Sequence, residues 1–214
     1  MIIKSFEVNP FSQNTYLIHQ ENTSSAILFD VGFYSHSDWE LFDTYFKNHK
    51  LELKGIFLTH AHLDHIFGLK KILSRFDVPV YLHQEDEILL KQAKQQAALF
   101  GFKLDLVSVE TIRLNEQEDF VLEDFKFTIL FTPGHAPGHL SFYFPEQHWL
   151  IAGDTLFAGS IGRTDLYKGD LNTLEKSIRE KLYMLPQETI VYSGHGPLTT
   201  IKRESKTNSF VRAL

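Results

Sequence analysis

The sequence predicts an α/β (α+β) chain arranged as a four-layer αββα sandwich, two sheets face to face with helices outside. Three observations carry this expectation. Strand-like runs occur in both halves, each half also contributes amphipathic helices, and no repeat, low-complexity tract or Pro/Gly/Ser linker interrupts residues 1–214. A single domain of 214 residues is therefore expected, large enough to bury a substantial core.

In chain order, residues 2–8, 14–19 and 26–30 read as short strands, separated by the turn formers Asn9-Pro10 and Glu21-Asn22-Thr23-Ser24. Residues 37–47 have helical spacing, with Trp39, Phe42 and Phe46 on one face and Ser35 or Ser37 as a cap. A buried strand at 56–58 and a helix at 69–76 follow. Next come a strand at 78–82 and a long polar helix at 84–100 closed by Gly101. One strand is expected near 107–112 and two more across a turn at Glu123-Asp124. Residues 140–144 and 149–152 form a hairpin pattern, residues 171–185 an amphipathic helix, and residues 189–192 a strand. The tail from Leu198 is polar, basic and helix-compatible.

The densest chemistry lies at 59–65, Thr-His-Ala-His-Leu-Asp-His, between the 56–58 strand and the helix after Gly68. The zigzag of this loop can turn His60 and His62 toward one metal ion and Asp64 and His65 toward a neighbour. Three further strand ends present a potential ligand directly after a glycine: Gly134-His135, Gly153-Asp154 and Gly194-His195. A residue without a Cβ lets such loops approach one another closely. The set of five imidazoles and two carboxylates exceeds the needs of one ion, and two ions can share it with one carboxylate between them. Without sulfur, the donors suit Zn, Fe or Mn. Such a pair of ions can hold a bridging hydroxide, because bound water is acidified from ~15.7 to ~7 on zinc, and can polarise a carbonyl.

Other polar residues at strand ends have two readings. Asp30, before Val31-Gly32, is either a turn former bonding nearby backbone or a support for the histidine loop. His83 reads as a local hydrogen-bonding residue and His139 as a support for the 132–139 loop. Composition excludes several roles. The net charge of −6 and scattered Lys and Arg argue against a nucleic-acid surface. No apolar run approaches the ~20 residues of a membrane span, and no leader is apparent. The absence of cysteine excludes disulfides and thiolate ligands and fits a reducing, cytoplasmic setting.

The motifs Thr59 to His65, Thr132-Pro133-Gly134-His135 and Gly153-Asp154-Thr155-Leu156-Phe157 resemble the metallo-β-lactamase fold hydrolases. Within them the closer likeness is to the glyoxalase II-like (hydroxyacylglutathione hydrolase-like) branch, and it runs along essentially the whole chain. The resemblance implies that His60, His62 and His135 hold one metal, Asp64, His65 and His195 a second, and that Asp154 bridges them. Asp64 would also act catalytically, taking a proton from the attacking hydroxide or orienting it. The implied cofactors are two divalent ions, zinc first, with iron or manganese also suited. The implied substrate is a small thioester or ester, with S-lactoylglutathione-type compounds among the candidates; the tyrosine that accompanies the basic glutathione contact in that branch is missing here, so the resemblance does not carry glutathione specificity with it.

His65 and the missing cysteine separate the chain from zinc β-lactamases, and the room between the later motifs excludes the inserted domain of RNA-processing members. Fewer than twenty residues follow Gly196, so a compact form without the C-terminal helical domain is expected. In Gly162-Arg163-Thr164-Asp165, Arg163 is the expected contact for a substrate anion. The same stretch resembles persulfide dioxygenases, which would place a single iron on His62, His135 and Asp154. A non-catalytic scaffold is the third alternative.

Overall fold

The computed structural model describes residues 1–104 and 109–213, with the backbone alone at Glu118. It divides into two compact units, Met1–Leu114 with Leu122–Asp124, and Asn115–Val121 with Phe125–Leu214.

The first unit is built on a six-stranded sheet in the order β1-β2-β3-β4-β5-β6. Strands β1 (Ile2–Val8) and β2 (Gln13–His19) form an antiparallel hairpin, registered from Ile2 opposite His19 to Val8 opposite Gln13. Strand β3 (Ser25–Phe29) continues antiparallel to β2. From β3 onward, β4 (Glu52–Phe57), β5 (Val80–His83) and β6 (Ile112–Leu114) pair in parallel. Parallel neighbours need long crossovers. Here α1 (His36–Asn48), the short helices α2 (Leu63–Ile66) and α3 (Leu69–Leu73), and α4 (Glu87–Leu99) supply them.

Helix α1 starts at Ser35 with a capping box. Ser35 Oγ accepts from Asp38 N–H at 3.1 Å, and Asp38 Oδ2 accepts from Ser35 N–H at 2.9 Å. Its buried face is Trp39, Phe42 and Phe46, and Phe42 meets Phe6 and Phe33 at ring-centroid distances of 6.0 and 5.0 Å. These contacts set α1 against the sheet and account for part of the chain's phenylalanine.

The second unit has a sheet in the order β14-β13-β10-β9-β8-β7. It comprises β7 (Gln117–Leu122), β8 (Phe125–Phe131), β9 (Leu140–Phe144), β10 (Trp149–Gly153), β13 (Ile190–Ser193) and β14 (Thr199–Thr200). A two-stranded hairpin, β11 (Leu156–Phe157) with β12 (Ser160–Ile161), follows β10. Because β8 and β10 are each antiparallel to β9, and β13 is parallel to β10, strands β8, β10 and β13 run the same way. Their C-terminal ends therefore lie along one edge of the sheet. Helices α5 (Leu171–Glu180) and α6 (Ile201–Thr207) cover one face, with Leu174, Ile178 and Ile201 packed among Leu150, Ala152 and Val191.

The elements differ from expectation in a few places. A one-turn helix, α2, lies within the histidine motif where a loop is expected. Strand β4 begins at Glu52, four residues earlier than its apolar run, because its first residues are half-solvated and carry little hydrophobic signal. The helix expected at 171–185 ends at Glu180. Lys181 breaks it (φ −120°, ψ −58°), and a 3₁₀ turn, Leu182–Met184, keeps Leu182 in the core. The strand expected near 107–112 falls partly on residues 105–108, outside the described residues; β6 begins at Ile112. The tail is ordered as β14 and α6. Among the described residues, no helix is long and apolar enough to cross a membrane.

Candidate metal centre

In the first unit, the parallel strands end in loops that share hydrogen bonds. Asp30 follows β3 in the left-handed region (φ +57°), a conformation that short polar side chains tolerate. Its N–H donates to Phe57 O at 2.9 Å, and its side chain, 2% exposed, receives three donors. Oδ1 accepts from Thr59 N–H at 2.8 Å, and Oδ2 accepts from the Thr59 hydroxyl at 2.9 Å and from His65 Nδ1 at 2.8 Å.

This arrangement selects the tautomers. A carboxylate only accepts, so His65 carries its proton on Nδ1 and keeps the Nε2 lone pair. The single Thr59 hydroxyl proton goes to Asp30, so Thr59 Oγ1 accepts from His60 Nδ1 at 3.0 Å, and His60 likewise keeps its lone pair on Nε2. A ring nitrogen fixed in this way by an outer partner is the usual state of a metal-bound histidine.

The rings of His60 and His62 are 4.7 Å apart and those of His60 and His65 4.1 Å, and all three residues are buried. His65 Nε2 lies 3.6 Å from Asp64 Oδ2. Two donors each ~2.1 Å from one tetrahedral ion are about 3.4 Å apart, so this spacing fits two ligands of one ion better than a hydrogen bond.

Several residues that sequence reasoning did not single out shape this loop. Ala61 N–H donates to Asp86 Oδ2 at 2.9 Å, and Asp86 is fully buried. Asn9 Nδ2 donates to both Gly32 O and Asp64 O at 2.9 Å, tying the β1–β2 turn to the ligand helix. Gly32 has no room for a side chain, since a Cβ there would lie 2.1 Å from Gln13 Oε1 and 2.7 Å from Asp64 O. Asp86 belongs to an ordinary acidic helix start, and Asn9 to an ordinary turn, so neither carries a local signal of its partner.

In the second unit, β8 delivers His135, β10 delivers Asp154 and β13 leads to His195. His135 Nδ1 donates to Arg163 O at 2.7 Å, which leaves its Nε2 lone pair 3.5 Å from Asp154 Oδ2. His195 Nε2 is also 3.5 Å from Asp154 Oδ2, so one carboxylate oxygen faces two imidazoles. His139 holds a different post. Its Nε2 accepts from Asp154 N–H at 3.0 Å, so its proton sits on Nδ1 and is directed to Thr132 Oγ1 at 3.0 Å. Both ring nitrogens are thereby engaged in holding the loops.

Gly134 (φ +130°) sits against helix α5, where a Cβ would come within 2.3 Å of Leu174 N. Asp170 N–H and the Ser177 hydroxyl bond the carbonyls of Gly134 and Pro133, at 2.8 and 2.7 Å. The 132–135 loop is thus seated on α5.

Arg163 is directed elsewhere than its own carbonyl. Its guanidinium makes a two-pronged pair with Asp165, at 2.7 and 2.8 Å, in an exposed position. The Arg163 hydrogen bonds hold the Asp165 carboxyl down to about 2. In the first unit, His83 ends β5 and caps the turn that follows it. Its Nδ1 accepts from Glu85 N–H at 3.3 Å, and burial lowers its pKa below the ordinary imidazole value.

Each unit thus presents a sulfur-free, largely buried group of imidazole and carboxylate donors, with the lone pair kept on Nε2 in His60 and His65 of the first unit and in His135 of the second. This donor chemistry fits divalent transition metals.

The metallo-beta-lactamase superfamily model matches residues 8–195. The chain belongs to that superfamily, whose members of known structure share its mixed α/β fold, and metal-dependent hydrolysis is the corresponding class of chemistry. The chain is 36% identical to "Hydroxyacylglutathione hydrolase GloC" of Haemophilus influenzae, over 100% of this chain and 99% of that one. The structure of the BLEG-1 B3 metallo-beta-lactamase matches with a TM-score of 0.90 and 37% identity, covering 98% of this chain and 99% of that one. That of TTHA1623 in a di-iron-bound form matches with a TM-score of 0.85 and 35% identity, covering 97% and 100%.

Proposed function

We propose that the protein is a binuclear metallo-hydrolase that cleaves a small thioester or ester, with S-lactoylglutathione-type compounds as the first substrate class. The observation that carries this reading is the commitment of the Nδ1 protons of His60, His65 and His135 to Thr59, Asp30 and the Arg163 carbonyl, which leaves all three Nε2 atoms as ligands. The likeness to GloC supports the thioester.

In this proposal His60, His62 and His135 serve one ion, Asp64, His65 and His195 the other, and Asp154 both. The two compact units then work as one domain. Zinc is the proposed metal, and the di-iron form of TTHA1623 makes iron its competitor. Bound divalent ions acidify water and polarise a carbonyl.

The chain's own part is to place groups. Asp30 and Thr59 lock the ring orientations, and His139 fixes the Asp154 backbone. Asp64, with its carboxylate 17% exposed, accepts a proton from the attacking water. Water adds to the acyl carbon, the C–S bond (C–O in an ester) breaks, and the departing thiolate or alkoxide takes up the proton that Asp64 received. Arg163 serves as the contact for a substrate anion by exchanging Asp165 for it. A cytoplasmic location is part of the proposal, and a cysteine-free chain is compatible with it.

The test is metal analysis together with S-D-lactoylglutathione turnover. About two transition metals per chain and hydrolysis lost on chelation and restored on metal addition are expected for this mechanism. A metal-loaded protein inert toward thioesters and esters rejects it. A second reading, β-lactam hydrolysis, is favoured by the likeness to BLEG-1. Turnover of a chromogenic cephalosporin exceeding that of thioesters would select it.

A further inference from the structure

Helix α6 carries Glu204, which is fully buried. Its Oε1 accepts from the Thr199 hydroxyl at 2.5 Å, and its Oε2 accepts from Gly159 N–H and from Asn208 Nδ2, both at 2.8 Å. Arg203 Nε stands 3.7 Å away on a side chain that is 61% exposed. A buried carboxylate held chiefly by neutral donors is a costly choice, since a packed apolar residue would fill the same volume without the desolvation penalty. Its value must lie in what it holds.

Glu204 holds the tip of the β11–β12 hairpin. Gly159 turns there with φ +75°, and Asn208 Nδ2, already bonded to Glu204, also donates to Ser160 O at 3.0 Å. The base of the hairpin is pinned separately, by the Ser193 hydroxyl on Leu156 O at 2.6 Å and by Gly162 N–H on Thr155 O at 3.2 Å. The hairpin begins two residues after Asp154 and ends two residues before Arg163, whose carbonyl orients the His135 ring. At its exit Gly162 is packed so tightly that a Cβ would fall 1.9 Å from Asp154 O and 3.1 Å from His135 Nδ1. Little slack remains to absorb a shift of the hairpin before it reaches Asp154 and His135.

We propose that Glu204 and Asn208 are positioning residues of the metal centre. Through the β11–β12 hairpin they hold the Asp154 carboxylate and the His135 ring in register, so helix α6 is part of the centre's support. The inference rests on the metal-binding reading above.

The test is zinc affinity of the full chain by chelator competition, read beside the melting temperature of the metal-free protein. Glu204→Leu keeps the volume and removes the acceptors. It should weaken zinc binding about 10- to 100-fold, the usual effect of losing an outer support. Glu204→Gln can still accept from Gly159 and Asn208 and donate to Thr199, and should keep near-normal affinity. Asn208→Ala, which releases Ser160, should weaken zinc binding in the same direction and serves if the leucine variant does not fold. Zinc affinity unchanged in a folded Glu204→Leu or Asn208→Ala protein overturns the proposal, as does equal weakening by leucine and glutamine. An unmodified chain that takes up no zinc, or an Asp154→Ala chain that takes it up normally, refutes the metal-binding reading instead.

Discussion

Replacing Asp30 with asparagine tests the tautomer argument with little disturbance elsewhere. Asparagine has nearly the same shape and tolerates the left-handed backbone at φ +57°, so the turn should survive. What changes is one acceptor. The carboxylate takes Thr59 N–H, the Thr59 hydroxyl and His65 Nδ1–H at 2.8, 2.9 and 2.8 Å. An amide oxygen directed at Thr59 turns its NH₂ toward His65 Nδ1. The imidazole then either moves its proton to Nε2, losing the ligand lone pair, or keeps it and leaves two buried donors facing each other. Holding the metal-binding tautomer against that arrangement costs about 1–3 kcal/mol, and at ~1.4 kcal/mol per tenfold this is roughly 5- to 150-fold in affinity. The loss should fall on the ion served by His65, so that under chelator competition Asp30→Asn retains one metal where the unmodified chain retains two. Folding should be checked by the melting temperature. A folded Asp30→Asn protein holding both ions at unchanged affinity would refute the tautomer argument.

Other predictions follow from single contacts. Asp165→Asn should free the Arg163 guanidinium and lower KM for an anionic thioester while leaving a neutral ester unchanged; parallel changes would make the pair structural. Since Arg163 holds the Asp165 carboxyl at about 2, the stability this pair contributes is fully present above an unfolded value of ~3.9 and lost as pH falls toward 2. A carbon-13 titration of Asp165 with a midpoint near 4 would show that the pair does not persist in solution. Burial lowers the His83 pKa, so its contribution is complete above an unfolded value of ~6.5 and declines as pH falls below it. His83→Gln should therefore flatten the drop in melting temperature of metal-free protein between pH 7 and pH 5, whereas parallel curves would reject the shift. Gly162→Ala should weaken zinc binding and lower the melting temperature together, because its Cβ would lie 1.9 Å from Asp154 O; a variant equal to the unmodified chain on both counts would show that the segment can yield.

The sequence by itself determined the candidate ligand types and the character of most elements. Imidazole and carboxylate chemistry belongs to the residues themselves, and the alternation and helical spacing around them are local properties. The cluster at 59–65 and the glycine-ligand pairs at 134–135, 153–154 and 194–195 could therefore be read directly. The 2.7 Å grip of Asp165 on Arg163 was near enough in sequence to be read, yet neither residue type implies the pairing.

Tertiary structure alone decided which partner each supporting residue of the candidate ligands takes. Asp30 reaches His65 across 35 positions, Ala61 reaches Asp86 across 25, and Gly159 reaches Glu204 across 45. An aspartate at a strand end or a glutamate in a basic tail looks the same in sequence whether it faces solvent or orients a ring. Those roles depend on donors brought to the acceptor by strand order and helix packing, which sum many weak interactions over the whole chain. The same packing chose the tautomers, because the position of each Nδ1 proton follows from the oxygen that folding places beside it.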